Sequence, residues 1–266
     1  MGLLRRHIAP LSPDAWQETE DTVRDVLRAR LSGRRVVDVS GPHGLDKAAV
    51  GLGRLEVSRS KTRETVGYGV HRVQPLVEAR AGFELDLWEL DNLARGAEDV
   101  ELGPAEQAAR DLSDFEDGAI FNGFQPGGIT GLMTLDEHEP LRLELQVEAF
   151  TGAVGTALLL LKDRAIGGPY ALVLGPAAYR WVDSQSCGYP LRRQISGIFG
   201  GDIVYSPVIE GGLLLSLRGG DFELTLGQDI ALGYDAHGAD QVKLFLTESF
   251  TFRVIEPAAA VALKSV

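Results

Sequence analysis

Between Ser12 and Gly33 the apolar residues Trp16, Val23, Leu27 and Leu31 recur at intervals of seven, four and four, and most positions between them are charged. That period puts one apolar stripe along a helix. Ser12 suits the N-cap, Pro13 the first helical position, and Gly33 a stop just past the end. The stripe predicts a helix packed on a core, or one wall of a groove for a partner peptide. From 41 to 80 the helical period is lost. Gly41, Gly44, Gly51, Gly53, Gly67 and Gly69 separate short β-prone pieces such as Val70–Val73 and Leu76–Ala79, with the polar run Ser58–Thr65 between them. No piece there buries a face alone, so the pattern predicts an extended two-stranded arm that persists by lying on a neighbouring subunit.

A short helix is expected to open at Asp86-Leu87-Trp88-Glu89, where Asp86 and Glu89 have capping-box spacing, and to end at Gly96. A longer helix starts near Pro104 and carries Ala108, Leu112, Phe115 and Ala119 at helical spacing. Beyond 135 the chain alternates: a helix near 146–162, a strand at Tyr170–Leu174, a helix after Pro176, and strands near 203–205 and 213–217. This is the pattern of a small α/β unit. The end reads as strands Phe222–Leu226, Ile230–Tyr234, Val242–Leu246 and Ser249–Ile255. With Phe250 and Phe252 on one face, they fit a half-buried antiparallel sheet. No internal repeat and no low-complexity linker interrupts this order.

Composition narrows the function classes. The chain has 266 residues with 26 Lys and Arg against 38 Asp and Glu, a net charge of −12 that argues against a nucleic-acid partner. Hydrophobic residues make up 44%, enough for a real core. Glycine accounts for 32 residues, well above the usual share, which suits a chain of turns and open loops. A single cysteine, Cys187, excludes an intramolecular disulfide and a multi-thiolate metal site, so a reducing interior is the expected home. Met1–His7 has charge but no apolar stretch behind it, so no secretory signal is expected. The apolar run Val154–Leu161, broken by Gly155 and Thr156, is too short to span a bilayer. A soluble, cytoplasmic protein is expected, with no membrane partner.

Catalytic patterns fail one by one. Gly51-Leu-Gly53 begins like a dinucleotide loop, but Glu56 stands where the third glycine belongs. The chain lacks a phosphate loop, a nucleophile elbow and a zinc-protease helix. His7, His43, His71, His138 and His237 do not pair at zinc spacings, and His138 sits in an acidic run, Asp136–Glu139, expected to be exposed. Nothing near Cys187 is expected to lower its pKa. Glu116 and Asp117 are adjacent, about 100° apart on a helix, and read as a solvated face. No catalytic residue and no required cofactor is assigned, and the chain is not expected to be an enzyme. Trp88 is the one residue that suggests a ligand: an exposed indole stacks flat molecules such as a flavin, or else packs on a neighbouring element.

The specific blocks are Arg218-Gly-Gly-Asp-Phe-Glu-Leu-Thr-Leu-Gly-Gln-Asp229, then Gly233-Tyr234 and Glu248-Ser-Phe-Thr-Phe252. Earlier blocks include Leu4-Arg-Arg6, Ala9-Pro-Leu11, Gly33-Arg34 with Val37-Asp38, Gln74-Pro-Leu76, Phe83–Leu93, Phe115-Glu-Asp117, Gly168-Pro-Tyr170 and Gly188-Tyr-Pro-Leu191. Carrying these in order over its length, the chain resembles the encapsulins, the shell proteins also known as linocin-type bacteriocin proteins. The resemblance implies an α+β fold of the phage major-capsid type (Hong Kong 97-like), a homo-oligomer closing into an icosahedral nanocompartment. It maps 1–45 to an N-terminal helix and connection, 46–80 to an extended loop, 81–136 with 223–266 to a peripheral domain, and 137–222 to an axial domain.

It also implies a cargo protein, such as a dye-decolorising peroxidase or a ferritin-like iron oxidase, docked by a C-terminal targeting peptide on the inner wall. The matching positions are Leu27, Leu31, Arg34, Asp38, Ile230 and Leu232, with Arg34 and Asp38 expected at the rim. The stretch Asp183, Ser184, Gln185, Ser186, Cys187, Gly188 and Tyr189 matches the loop at the five-fold opening, where a repeated Asp183 would attract cations. Two other readings belong to the resemblance. A protease or secreted bacteriocin lacks a catalytic constellation and a leader here, and a DNA-packaging phage capsid protein lacks a basic segment.

Overall fold

In chain order the elements are α1 (Pro13–Arg30), β1 (Asp38–Ser40), β2 (Ala49–Val57), β3 (Gly69–Pro75), β4 (Val77–Asp86), α2 (Leu87–Ala94) and α3 (Gly103–Asn122). They continue with β5 (Leu141–Leu143), α4 (Val147–Asp163), β6 (Tyr170–Leu174), α5 (Pro176–Ser184), α6 (Leu191–Phe199), β7 (Asp202–Tyr205) and β8 (Gly212–Ser216). The last are β9 (Phe222–Leu226), β10 (Ala231–His237), β11 (Gln241–Val254) and β12 (Ala260–Ser265). This computed structural model describes residues 2–57, 66–185 and 188–265.

Helix α1 forms where its stripe predicts. The Ser12 hydroxyl accepts from the Ala15 amide, and Pro13 opens the first turn. Ala15, Trp16, Thr19 and Val23 are buried, and the helix packs on α3 and α2. The stripe's second half is covered less well, because Leu27 and Leu31 are only half-buried.

One five-stranded sheet runs β1-β9-β11-β10, with β4 also paired to β11. The 14-residue β11 is its spine: β4 pairs antiparallel along Gln241–Phe250, β10 along Val242–Thr247, and β9 along Phe250–Val254. The sequence pattern predicts two strands here, split at Thr247–Glu248. The structure has one, because both polar residues are buried and continue the ladder opposite Arg80 and Ala79. Strand β1 joins this sheet parallel to β9.

The other five-stranded sheet runs β5-β12-β8-β6-β7. Every residue of β6 and β8 is buried, as expected of near-continuous apolar strands covered on both faces. Helix α4 adds Phe150, Val154, Ala157, Leu158 and Leu161 from one face. The closing strand β12 crosses into this sheet, antiparallel to β8 and parallel to β5. Its alanines, Ala260 and Ala262, give little strand signal, so the sequence reading ends with β11. Helix α6 and strands β1 and β5 are likewise absent from that reading.

Among the described residues, strands β2 and β3 pair only with each other, with a register shift between Gly51 and Arg54. Leu55, Val57 and Val70 stand exposed on this arm. Two expectations are corrected. Glu116 and Asp117 lie on no solvated face; both are buried, because α3 turns them inward toward the end of α1. His138 is half-buried, its Nε2 3.0 Å from the Ala258 carbonyl oxygen. No helix among the described residues is long and apolar enough to cross a membrane.

Candidate functional site

Along the uncovered half of the α1 stripe runs a groove. Val23, Leu27 and Leu31, one helical turn apart, form one wall. Ile230, Ala231 and Leu232 at the start of β10 form the other, with Leu246 of β11 beside them. The cavity holds about 610 Å³, within the usual size of ligand clefts. Its rim is charged: Arg6 pairs with Glu20, Arg24 with Asp21, and Arg28 stands exposed.

The two walls meet at a buried charge cluster. Helix α1 ends as the Leu31 amide bonds the Leu27 carbonyl at 2.9 Å. The Asp117 carboxylate then accepts from the Ser32 amide (2.9 Å), the Ser32 hydroxyl (2.6 Å) and the Gly33 amide (2.9 Å). Gly33 is required by space: a Cβ there would sit 2.6 Å from Ile120 Cδ1 and 2.9 Å from Asp117 Oδ1. Burial pushes the Asp117 carboxyl up to about 6, with its three hydrogen bonds pulling the other way and neighbouring Glu116 adding to the rise.

Arg34 follows and faces three carboxylates. Its Nε lies 2.8 Å from Glu116 Oε1 and its Nη2 2.5 Å from Glu116 Oε2, a bidentate pair. Nη1 lies 2.8 Å from Asp229 Oδ1, and Nη2 is 3.5 Å from Glu248 Oε2. Burial opposes the guanidinium charge, but Glu116 and Asp229 outweigh it and raise the pKa of Arg34. Glu248 has the opposite fate: burial first, then the Glu116 carboxylate, hold its carboxyl well above the usual range against the pull of Arg34. Its Oε1 has no hydrogen-bond partner among the described residues. Three acids around one guanidinium are best balanced when Glu248 keeps its proton and donates it to Glu116.

Of the six positions expected to hold a targeting peptide, Leu27, Leu31, Arg34, Ile230 and Leu232 line this groove. Arg34 lies beneath the walls as their tie and is not a free rim charge. Asp38 is elsewhere: it accepts from the Gly220 amide at 2.6 Å and lines a separate cleft of about 200 Å³ with Ser216 and Asp221. It fails as a rim residue because β1 carries it to the far edge of the sheet, against β9. Sequence reasoning placed Val23 on the apolar stripe but not among the docking positions, and it missed Leu246, Asp229, Glu116 and Glu248 at this site. Val23 belongs to the same stripe and was within reach; the others come from distant segments.

The expected pore loop begins later than its first residue. Asp183 and Ser184 are the last residues of α5, where the Ser184 hydroxyl donates to the Trp181 carbonyl. Asp183 pairs with Arg192 of α6 at 2.9 Å, and Arg192 also donates to the Tyr179 hydroxyl at 2.8 Å. Gln185 ends the helix, Gly188 has φ +75, and Tyr189 is exposed; Ser186 and Cys187 lie outside the described residues. Trp88 is 67% exposed on α2, with the Arg95 guanidinium 5.9 Å from its ring. It offers a stacking surface and not an enclosed flavin pocket. Among the described residues no group of three or more His, Cys, Asp or Glu could hold a metal ion.

A family model described as an encapsulating protein for peroxidase matches residues 1–251. The chain is 41% identical to the type 1 encapsulin shell protein of Rhodospirillum rubrum, over 99% of this chain and 97% of that protein. In structure it is similar to the virus-like particle from Pyrococcus furiosus, with a TM-score of 0.69 at 16% identity over 94% of this chain and 99% of that one. It is also similar to the capsid of Myoviridae phage XM1, with a TM-score of 0.54 at 13% identity over 87% and 90%. These likenesses establish a phage major-capsid-type α+β fold.

Proposed function

Because the chain belongs to the family of type 1 encapsulin shell proteins, we propose that it is a tile: copies close into an icosahedral compartment, and the groove docks a cargo protein's tail on the inner wall. The observation that carries the docking is the groove itself, an apolar slot left open beside a charged rim where a well-packed subunit would have closed it. An extended apolar segment with side chains spaced for Leu27, Leu31, Ile230 and Leu232 fills it, as strands and helices fill such slots elsewhere. The exposed arm supports assembly, since its apolar side chains need a neighbouring subunit to cover them.

The shell acts in the cytoplasm as a container and is not an enzyme. Cargo of the dye-decolorising peroxidase or ferritin-like kind supplies the chemistry. Small molecules and ions enter through openings, of which the five-fold one is lined by Asp183, Ser184, Gln185, Gly188 and Tyr189. A flat ligand such as a flavin stacks on Trp88 only where an assembled neighbour or the ligand itself supplies the second face.

The test is co-production with a dye-decolorising peroxidase that keeps its C-terminal tail. Haem absorbance co-sedimenting with the shells reads the loading. Leu31→Asp is expected to cut loading at least ~10-fold while shells still form, since even an uncharged polar group buried without a partner costs about 1–3 kcal/mol and an unpaired carboxylate costs more. Undiminished loading would sink the docking reading. Electron microscopy of the particles tests the container: empty or protein-filled shells support it, and DNA-filled particles or small oligomers overturn it.

A further inference from the structure

The Arg34 cluster does more than fill space, because it joins the two walls of the groove. Arg34 sits three residues past Leu31, at the exit of α1. Its Nη1 reaches Asp229, whose Oδ1 also accepts from the Ile230 amide at 2.8 Å, directly before β10. The remaining guanidinium edges face Glu116 and Glu248, both fully buried. Asp229 is the exposed member of the three, with 45% of its side chain open.

Among the described residues nothing else charged competes for Glu248. From α3 come Glu116 and Asp117, and Asp117 is engaged by Ser32 and Gly33. Also from α3, Asp114 is tied to Arg30 at the end of α1. From β4 the residue opposite Glu248 is Ala79; its neighbours Glu78 and Arg80 point to the other face and pair with each other. From β10 the nearest register partner, Ala231, brings no charge.

We propose that Arg34 is the centre of a protonation-controlled clasp: it holds the groove walls together while Glu248 is a carboxylic acid, and releases Asp229 when Glu248 loses its proton to solvent. The physical argument is a competition for one guanidinium. With Glu248 neutral, Glu116 and Asp229 share Arg34. With Glu248 ionised, two carboxylates fully removed from water repel each other, and the dielectric is lowest there, so they hold the guanidinium most strongly. Asp229 is the partner that water can solvate, so it is the one let go. The start of β10 then loses its tie to the end of α1, and the groove opens. As a regulation of cargo docking this rests on the groove being the docking site; as a statement about the walls it stands without cargo.

Empty shells therefore provide the test. Hydrogen exchange of the segments 29–35 and 228–233, corrected for the intrinsic pH dependence of amide exchange, is followed from about pH 5 to about pH 9, where one linked proton permits up to roughly tenfold per pH unit. The parent is expected to lose protection in both segments together as pH rises. Glu248→Gln, whose amide donates to Glu116 as the acid does, is expected to stay protected throughout, and Asp229→Asn to exchange fast throughout. Infrared difference spectra of the parent should show a protonated-carboxyl band lost over the same range beyond the Asp117 contribution, which Asp117→Asn removes, and absent in Glu248→Gln. Equal pH dependence in the parent and Glu248→Gln, or no loss of that band in the parent, overturns the clasp. If Glu248→Gln fails to assemble, the parent's infrared band and its paired exchange decide alone. Cargo loading does not enter these readouts, so failure of the clasp and failure of the docking reading are separate results.

Discussion

The β6–β8 interior and the Arg34 cluster are both buried, yet they are built on opposite principles. In the first, the two five-residue strands Tyr170–Leu174 and Gly212–Ser216 are buried at every position and nearly all apolar, with α4 packed on them. In the second, Glu116, Asp117 and Glu248 are buried beside a groove that the chain does not fill. The apolar interior gains from every contact and has one good arrangement. The charged one is held by a balance of protons and hydrogen bonds, and such balances have more than one near-equal solution. Rigidity belongs where the tile must keep its shape, and adaptability where something has to enter.

The sharpest way to break this contrast is to delete the same atoms from both places. Leu172→Ala, in the middle of β6, is expected to cost about 2–5 kcal/mol and to lower the yield of assembled shells, because the cavity cannot collapse. The unfolding midpoint in denaturant reads it. Leu27→Ala, on the half-buried groove wall, is expected to cost less than about 1 kcal/mol, since the side chain already faces open space. Comparable losses at both sites would mean that the groove wall is as tightly packed as the sheet.

Next in size is a pH effect that the apolar interior cannot show. The folded chain raises the Asp117 carboxyl from 3.8 to about 6, so the folded state binds its proton more tightly than the unfolded one. The associated stability is fully present below pH 3.8 and is lost as pH rises through about 6. The shift of roughly two units corresponds to about 3 kcal/mol. Glu248 acts in the same direction. The parent should therefore gain denaturant resistance on going from neutral to about pH 4.5 in a way that Asp117→Asn does not. Equal slopes for the two chains would break the assignment.

The two interiors also differ in how far the sequence discloses them. The α1 stripe, the apolar runs of β6 and β8, and the capping residues Ser12 and Asp86 state local rules that nothing distant overrides. The groove positions came from the family resemblance, and helical spacing of Leu27 with Leu31 and one strand face for Ile230 with Leu232 only agreed with it. What faces Arg34 was not legible. Glu116 and Asp117 have the spacing of a solvated face, and Glu248 is an acid in a strand; only the packing of α1 on α3 and α3 on β11 turns them toward one guanidinium. Asp38 fails for the same reason in reverse. It is close to Arg34 in sequence, but β1 pairs with β9 and takes it away.

The smallest effect concerns an ion pair that lacks burial altogether. Asp183 and Arg192 pair at 2.9 Å with about two-fifths of each side chain exposed. Exposed pairs contribute about 0–1 kcal/mol and are screened by salt. If Asp183, Ser184, Gln185, Gly188 and Tyr189 line an opening, each copy of Asp183 arrives with a cation beside it, so the ring's net field on an entering ion is weak. Asp183→Asn is then expected to slow ferrous-iron uptake into shells, because it leaves the Arg192 guanidinium uncompensated at the mouth. Arg192→Gln should act to a similar extent and in the opposite sense, because it leaves the carboxylate uncompensated and concentrates cations at the mouth. That gain should fade as salt shortens the range of the field, to about 8 Å at physiological ionic strength. Stopped-flow uptake at two salt concentrations separates the cases. A large loss in Asp183→Asn with no gain in Arg192→Gln would show that the pair does not persist in the assembled shell, and that Asp183 faces the opening unpaired.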